Sequence, residues 1–226
     1  MSHPLDNPIW NALNSRQAQC GSTVAAARRF REDISPFAAA RDGSAEAVAA
    51  LAALARIDDD MSLLEPDPPA PPPGIALKMS AAGVQMVARA FSATQQAPLA
   101  FDTLNDADAP EMLALALLTK PGPFRAATHT LGRFIGVREN GKLIAMAGER
   151  LQMDGFVEIS AVCTHPDHRG RGLAGALMRA VGDRILSEGD TPFLHAYASN
   201  TNAIALYERL GFEHRTSVTH AVWTRG

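Results

Sequence analysis

Apolar positions follow two rhythms along the chain, separated by the run E-P-D-P-P-A-P-P-P-G from Glu65 to Gly74. Each proline fixes φ and removes an N–H, so this run predicts a stiff connector and neither helix nor central strand. Before it, the pattern predicts a short helix near Ile9 to Gln19 and β-like segments around Thr23 to Phe30 and Phe37 to Ala39. An alanine-rich helix from about Ser44 to Ala55 and a strand from Met61 to Leu64 follow, with Ser44 and Glu46 as ordinary helix-start signals.

After the connector the rhythm alternates between strands and helices. Ile75 to Met79, Val84 to Val87 and Leu99 to Thr103 read as strands, and Asp108-Ala109-Pro110-Glu111 opens a helix reaching Thr119. Leu131 to Arg138 and Lys142 to Leu151 form a hairpin, because Asn140-Gly141 supplies the positive φ values of a tight turn. A strand from Phe156 to Thr164 leads into a helix that opens at Leu173 and stops at Gly189, its apolar rows carrying Leu173, Leu177 and Val181. A strand from Pro192 to Ala198, a helix from Thr201 to Leu210 and two closing strands after Gly211 complete the order β-α-β-β-β-α-β-α-β-β.

The segment V-C-T-H-P-D-H-R-G-R-G-L-A-G-A-L-M, Val162 to Met178, carries the clearest chemistry. A strand stopping at Pro166, a loop of Arg169, Gly170, Arg171 and Gly172, and a helix opening at Leu173 leave backbone N–H groups bare at a helix N-terminus. Such a place holds a phosphate.

Composition narrows the partners. A formal charge of -3 and 6% aromatic residues give no basic field for a phosphate polymer, so nucleic acid is not expected as a partner. The longest apolar run, Met112 to Leu118, is too short for a bilayer, and the N-terminus lacks a basic stretch followed by an apolar one. Cys20 and Cys163 stand far apart in apolar surroundings, which fits a reducing cytoplasm and a buried Cys163 better than a nucleophile. His165-x-x-His168 invites a metal reading, but Pro166 keeps the pair off a helix and no third ligand lies at a typical spacing, so no metal is expected.

Two motifs carry a resemblance. Arg169-Gly170-Arg171-Gly172-Leu173-Ala174 resembles the Arg/Gln-x-x-Gly-x-Gly/Ala loop of the GNAT superfamily of N-acetyltransferases. Asn200, Ala203, Tyr207, Gly211 and Phe212 stand at the positions of that family's Asn-x-x-Ala-x-x-x-Tyr-x-x-x-Gly-Phe signature. The resemblance covers roughly Pro98 to Gly226, so the chain is expected to divide into an N-terminal α/β extension (1–97) and an acetyltransferase-like domain (98–226). It implies an α/β (α+β) fold with a mixed, mostly antiparallel twisted sheet and flanking helices.

The resemblance also implies acetyl-coenzyme A (acetyl-CoA) as co-substrate, its pyrophosphate on Arg169, Gly170, Arg171, Gly172, Leu173 and Ala174, with Asn200, Ala203 and Tyr207 beside it. Val162, Cys163 and Thr164 would splay from Phe193 to Tyr197, freeing edge groups for pantetheine and one N–H for the thioester carbonyl. An amine of lysine type, with a pKa of about 10.4, needs a base, and the departing thiolate needs an acid. Tyr207 resembles the family's acid; Glu158, through water, is the first choice of base and Glu149 the second. The acceptor, a small molecule or a peptide, is expected to meet Lys120 to His129, with Phe124, Arg125 and His129, and Ser217 to His220. A monomer or homodimer is expected. A silent acyl-CoA-binding regulatory module and a transferase of another acyl group remain as alternatives.

Overall fold

The structure, a computed structural model, describes residues 3–92 and 99–225. The chain begins with α1 (Pro8–Leu13), whose N-cap Asn7 accepts from the Trp10 amide. A small antiparallel sheet follows, of β1 (Gly21–Val24), β2 (Ala27–Phe30) and β3 (Ala38–Ala40), then α2 (Ala45–Ala53), capped by Ser44.

The remaining elements are β4 (Met61–Glu65), β5 (Ala76–Ala88), β6 (Asp102–Leu104), α3 (Ala109–Thr119), β7 (Phe134–Glu139), β8 (Lys142–Met153), β9 (Phe156–Thr164), α4 (Leu173–Ser187), β10 (Thr191–Tyr197), α5 (Thr201–Leu210) and β11 (Phe212–Thr224). Their strands form one sheet in the order β4-β11-β5-β10-β9-β8-β7-β6. Every neighbouring pair is antiparallel except β9 with β10. This is the mixed, mostly antiparallel sheet with flanking helices that the motifs implied.

Helix α4 is amphipathic at a spacing of four, so Leu173, Leu177, Val181 and Ile185 bury one stripe against Val157 and Ile159 of β9 and Ala145 and Ala147 of β8. Burying each of these side chains contributes about 1.5–3 kcal/mol. Gly189, at φ +87°, lets the chain turn away after that helix. The other face of the sheet is covered by α3, through Met112 and Leu115 against Phe134 and Met146, and by the N-terminal part, through Leu5, Ile9 and Phe37 against Leu151, Phe193 and Val218.

Three expectations change. The strands expected at Ile75 to Met79 and Val84 to Val87 are one strand, because Gly83 does not break it. A Cβ on Gly83 would lie 2.9 Å from the Ala196 carbonyl oxygen, so glycine there serves close approach to β10. The two closing strands are also one, with a bulge between His214 and Thr216 that sends Arg215 across to Gln85 and Asp6. Finally, the sheet does not respect a division at 97/98: β4 and β5 are integral to it, β5 lying between β10 and β11. Pro98 and Gly226, the ends of the expected second unit, lie outside the described residues.

Candidate active site

The parallel ladder between β9 and β10 runs Phe156 with Thr191, Val157 with Pro192 and Glu158 with Phe193, and then stops. Strand β10 continues against β5, with Ala196 opposite Val84 and Tyr197 opposite Gly83. Strand β9 stays with β8 but bulges: Ser160 pairs with Gly148 and Cys163 with Met146, and Ala161 sits at φ +52°. The two strands therefore diverge as a V. Ser160, Val162, Cys163 and Thr164 line one arm, His195, Ala196 and Tyr197 the other, of a cavity of about 830 Å³.

The loop after β9 closes one end of this cavity. Gly170 and Gly172 stand at φ +77° and +74°, where a side chain would be strained, and open space surrounds the Gly170 Cβ position. Among the described residues no side chain caps α4 at Gly172, so its first amides face the cavity bare. Arg171 is drawn aside to Glu139 at 2.9 Å, whereas Arg169 lines the cavity with no ion pair among the described residues. His165 is used locally, its Nδ1 accepting from the Asp167 amide at 3.3 Å.

Helix α5 supplies the opposite wall. Asn200 caps it, accepting from the Ala203 amide at 3.3 Å, and also lines the cavity with Ala203 and Tyr207. The Tyr207 ring lies edge-on to Phe212, with centroids 6.2 Å apart, and burial raises its phenol pKa, keeping the proton on at neutral pH. Cys163 is a buried thiol, pushed up to about 11 by burial, and is no nucleophile at neutral pH.

Neither glutamate expected as base reaches the cavity wall. Glu158 is fully buried, its Oε2 accepting from Arg150 Nε at 2.8 Å and its Oε1 from Arg150 Nη2 at 2.6 Å and His195 Nδ1 at 2.7 Å. Burial opposes its ionisation, but Arg150 and His195 overcome this and hold the carboxyl at about 2. It anchors two cavity residues and is a poor proton acceptor. Glu149 points to the α4 face, accepting from Arg184 at 2.8 Å and from Gln152 at 3.2 Å. Alternation along β8 and β9 gave both residues a strand position but not the side of the sheet, because the bulges shift it.

The acceptor wall also differs from expectation. Lys120, Pro121, Gly122 and Pro123 do line the cavity. Phe124, however, packs on Phe134, Arg125 binds Asp59 at 2.7 Å, and His129 meets Asp106 at 3.1 Å. Phe37, Leu64, Arg150, His195, Tyr197 and, from the expected segment Ser217 to His220, His220 fill that end. The sequence signal for the last four was polar residues at alternate positions inside apolar strands; Phe37 and Leu64 arrive only through long-range packing.

A hydrogen-bond chain fixes this end. Arg215 Nε donates to Gln85 Oε1, so Gln85 Nε2 donates to the Leu5 carbonyl at 2.9 Å and to His195 Nε2 at 2.9 Å. His195 is thereby the tautomer carrying hydrogen on Nδ1, which donates to Glu158. His220 Nδ1 lies 3.0 Å from the Tyr197 hydroxyl, and its Nε2 has no partner among the described residues. Burial, with the Arg150 guanidinium nearby, lowers His220 to about 4, so it is neutral at pH 7.

Residues 134–224 match the family described as FR47-like protein. A solved GNAT-family protein from Novosphingobium aromaticivorans is similar over 100% of both chains, at 43% identity and a TM-score of 0.92. The ribosomal protein bS18-alanine N-acetyltransferase of Escherichia coli is 37% identical over 79 residues, which are 34% of this chain and 53% of that protein. The mycothiol acetyltransferase of Corynebacterium aurimucosum is 39% identical over 71 residues, 31% of this chain and 23% of that protein. The match thus spans about half or less of these two curated relatives. With full-length similarity at 43% identity and both motifs on one cavity, the chain belongs to the GNAT family of acetyltransferases.

Proposed function

We propose that the protein transfers an acetyl group from acetyl-CoA to a primary amine, with both substrates bound together and the amine attacking directly. The observation that carries this reading is one continuous cavity from the bare amides of α4, through the V between β9 and β10, to Tyr197 and His220. A two-substrate reaction without an acyl-enzyme needs both ligands in one site, and this cavity joins the two ends. The thiol Cys163, too basic to attack, is consistent with direct transfer.

The thioester supplies the activated acetyl group. Gly170, Gly172, Leu173 and Ala174 would hold pyrophosphate oxygens by backbone N–H groups, with Arg169 adding charge. The freed edge of Val162, Cys163 and Thr164 would bind the pantetheine amides and donate one N–H to the thioester carbonyl. Tyr207, kept protonated by burial, would give its proton to the departing sulfur. We assign Tyr197 and His220, whose imidazole is held at about 4, to orienting the uncharged amine by hydrogen bonds, its proton having passed to solvent water. His220 holds a neutral imidazole, and Tyr197, 42% exposed, connects it to solvent. Glu158 acts through Arg150 and His195 as a positioning residue.

Among the described residues no helix is long and apolar enough to cross a membrane, and both cysteines are free and buried. We place the enzyme in the cytoplasm on the second observation. The acceptor class includes alanine amines of proteins, as the name of the Escherichia coli relative gives for that protein, and small amines.

The test is thermal unfolding with acetyl-CoA, coenzyme A or ATP, followed by thiol release with a panel of amines. Ligand at 100 times its dissociation constant adds about 2.7 kcal/mol of stability. A shift with both coenzyme A species and not ATP, then amine-dependent thiol release, supports the reading; no shift with either coenzyme species overturns it.

A further inference from the structure

The cavity is lined by Lys120, Arg150, Arg169, Arg171, Arg179 and Arg209, and by no aspartate or glutamate among the described residues. Four of these arginines belong to the loop, α4 and α5, where a phosphate-bearing coenzyme accounts for positive charge. Arg150 does not. It projects from β8 at the opposite end, beside Phe37, Leu64 and His220.

Arg150 is only 9% exposed, and its guanidinium is partly spent. Nε and Nη2 bind Glu158, while one face lies on the Phe37 ring, 4.8 Å from its centroid. Nη1 has no acceptor among the described residues and lies 4.0 Å from where a Cβ on Gly122 would stand, at the cavity wall. Nη1 is thus the guanidinium nitrogen of Arg150 whose two N–H donors face the cavity uncommitted, and the partner of choice is a carboxylate. Glu158 cannot serve a ligand amine, because both its oxygens are occupied and it is fully buried. His195 and His220 carry no negative charge. The acceptor end therefore offers an ammonium-rich ligand no counter-charge and offers an anion a fixed donor, held in place by the buried Phe37 ring beneath the guanidinium.

Resting on the acetyl-transfer reading, we propose that the acceptor amine bears a carboxylate, which docks on Nη1 of Arg150. The class is amino-carboxylic acids, free or as a short peptide with its own carboxyl group. Polyamines and uncharged amines are disfavoured by the same site.

The experiment uses the full chain saturated with coenzyme A and measures, by calorimetry, binding of L-phenylalanine, glycyl-L-phenylalanine and 6-aminohexanoate, each against its carboxamide, with spermidine as the cationic probe. Acetylation of the same probes is followed by thiol release from acetyl-CoA. At least one acid is expected to bind about 10- to 100-fold more tightly than its amide, the worth of a charge-assisted hydrogen bond. Arg150→Lys keeps a cation for Glu158 but withdraws Nη1, and is expected to bring acid and amide together while the thermal shift with coenzyme A persists. Equal binding of every acid and its amide, tighter binding of spermidine, or no binding of any acid at millimolar concentration overturns the proposal. The wild-type comparison decides even if Arg150→Lys does not fold. Discrimination of acid from amide without thiol release would overturn acetyl transfer and leave the carboxylate site standing; thiol release without discrimination would do the reverse.

Discussion

Glu158 and Phe193 form the last rung of the parallel ladder, at the apex of the V between β9 and β10. At that apex the buried carboxylate ties the start of one arm, through Arg150 and His195, to both walls of the site. The ion pair holds the wedge at its closed end.

Glu158→Gln is accordingly a stability variant first. It leaves a buried guanidinium with an uncharged partner and is expected to cost about 3–5 kcal/mol in urea unfolding. Glu149→Gln leaves Arg184 and Arg133, which reach solvent, and should cost less. A Glu158→Gln protein of normal stability with a displaced pH–rate profile would return Glu158 to the role of base.

Gly172→Glu places bulk and negative charge against the coenzyme's pyrophosphate and demands φ +74° of a residue with a Cβ. Loss of the acetyl-CoA thermal shift is expected. Gly172→Ala separates the two causes: it should carry the backbone strain yet retain part of the shift, and a complete wild-type shift in Gly172→Glu would remove the loop from the site.

Tyr207→Phe should lower kcat by about 10²-fold or more with coenzyme affinity nearly unchanged, since only the phenol proton is lost. The Phe212 contact survives the change. A wild-type kcat would show that the sulfur takes its proton from elsewhere.

His220 sets an acid limit. Its folded value, about 4, lies below the 6.5 of an ordinary imidazole, so its contribution is fully present above pH 6.5 and is lost as pH falls through 4. Up to about 3 kcal/mol is involved. His220→Gln is expected to flatten unfolding free energy between pH 6.5 and 4; an unchanged slope would assign acid sensitivity to other groups.

Glu65 acts in the opposite sense. At the end of β4, burial and then Asp67 raise its carboxyl to about 7, so its contribution is complete below pH 4.5 and is lost as pH rises through 7. Glu65→Gln is expected to stabilise the protein at pH 8 by up to about 3 kcal/mol and to change little at pH 4. Identical gains at both pH values would exclude this origin.

The phosphate loop and α5 were legible in the sequence because their chemistry is local: Gly170, Gly172 and Asn200 act through backbone geometry within a few residues of themselves. Helix α4 was legible from its repeat, and the hairpin from Asn140-Gly141. The acceptor end was legible only in part, Lys120 and His220 falling in expected segments and Arg150 in none. Arg150, His195 and His220 come from three strands, and whether each faces the cavity depends on bulges that the alternation of apolar residues does not reveal. The continuity of β5 through Gly83 was not legible either, since its neighbour Ala196 is far away in sequence.

The position of β5 between β10 and β11 has a consequence for how the protein is made. β5 is synthesised long before either of its neighbours, so on the ribosome it waits with both edges unpaired. Its pairing closes a loop that contains most of the remaining chain, which places a slow, non-local step late in folding. The half-made protein cannot complete its sheet in instalments. Holding that strand apart from other chains until Phe212–Thr224 has emerged is the period of greatest exposure to aggregation, and the proline-rich run just ahead of β5, unable to join a ladder, shortens the sticky segment during that wait.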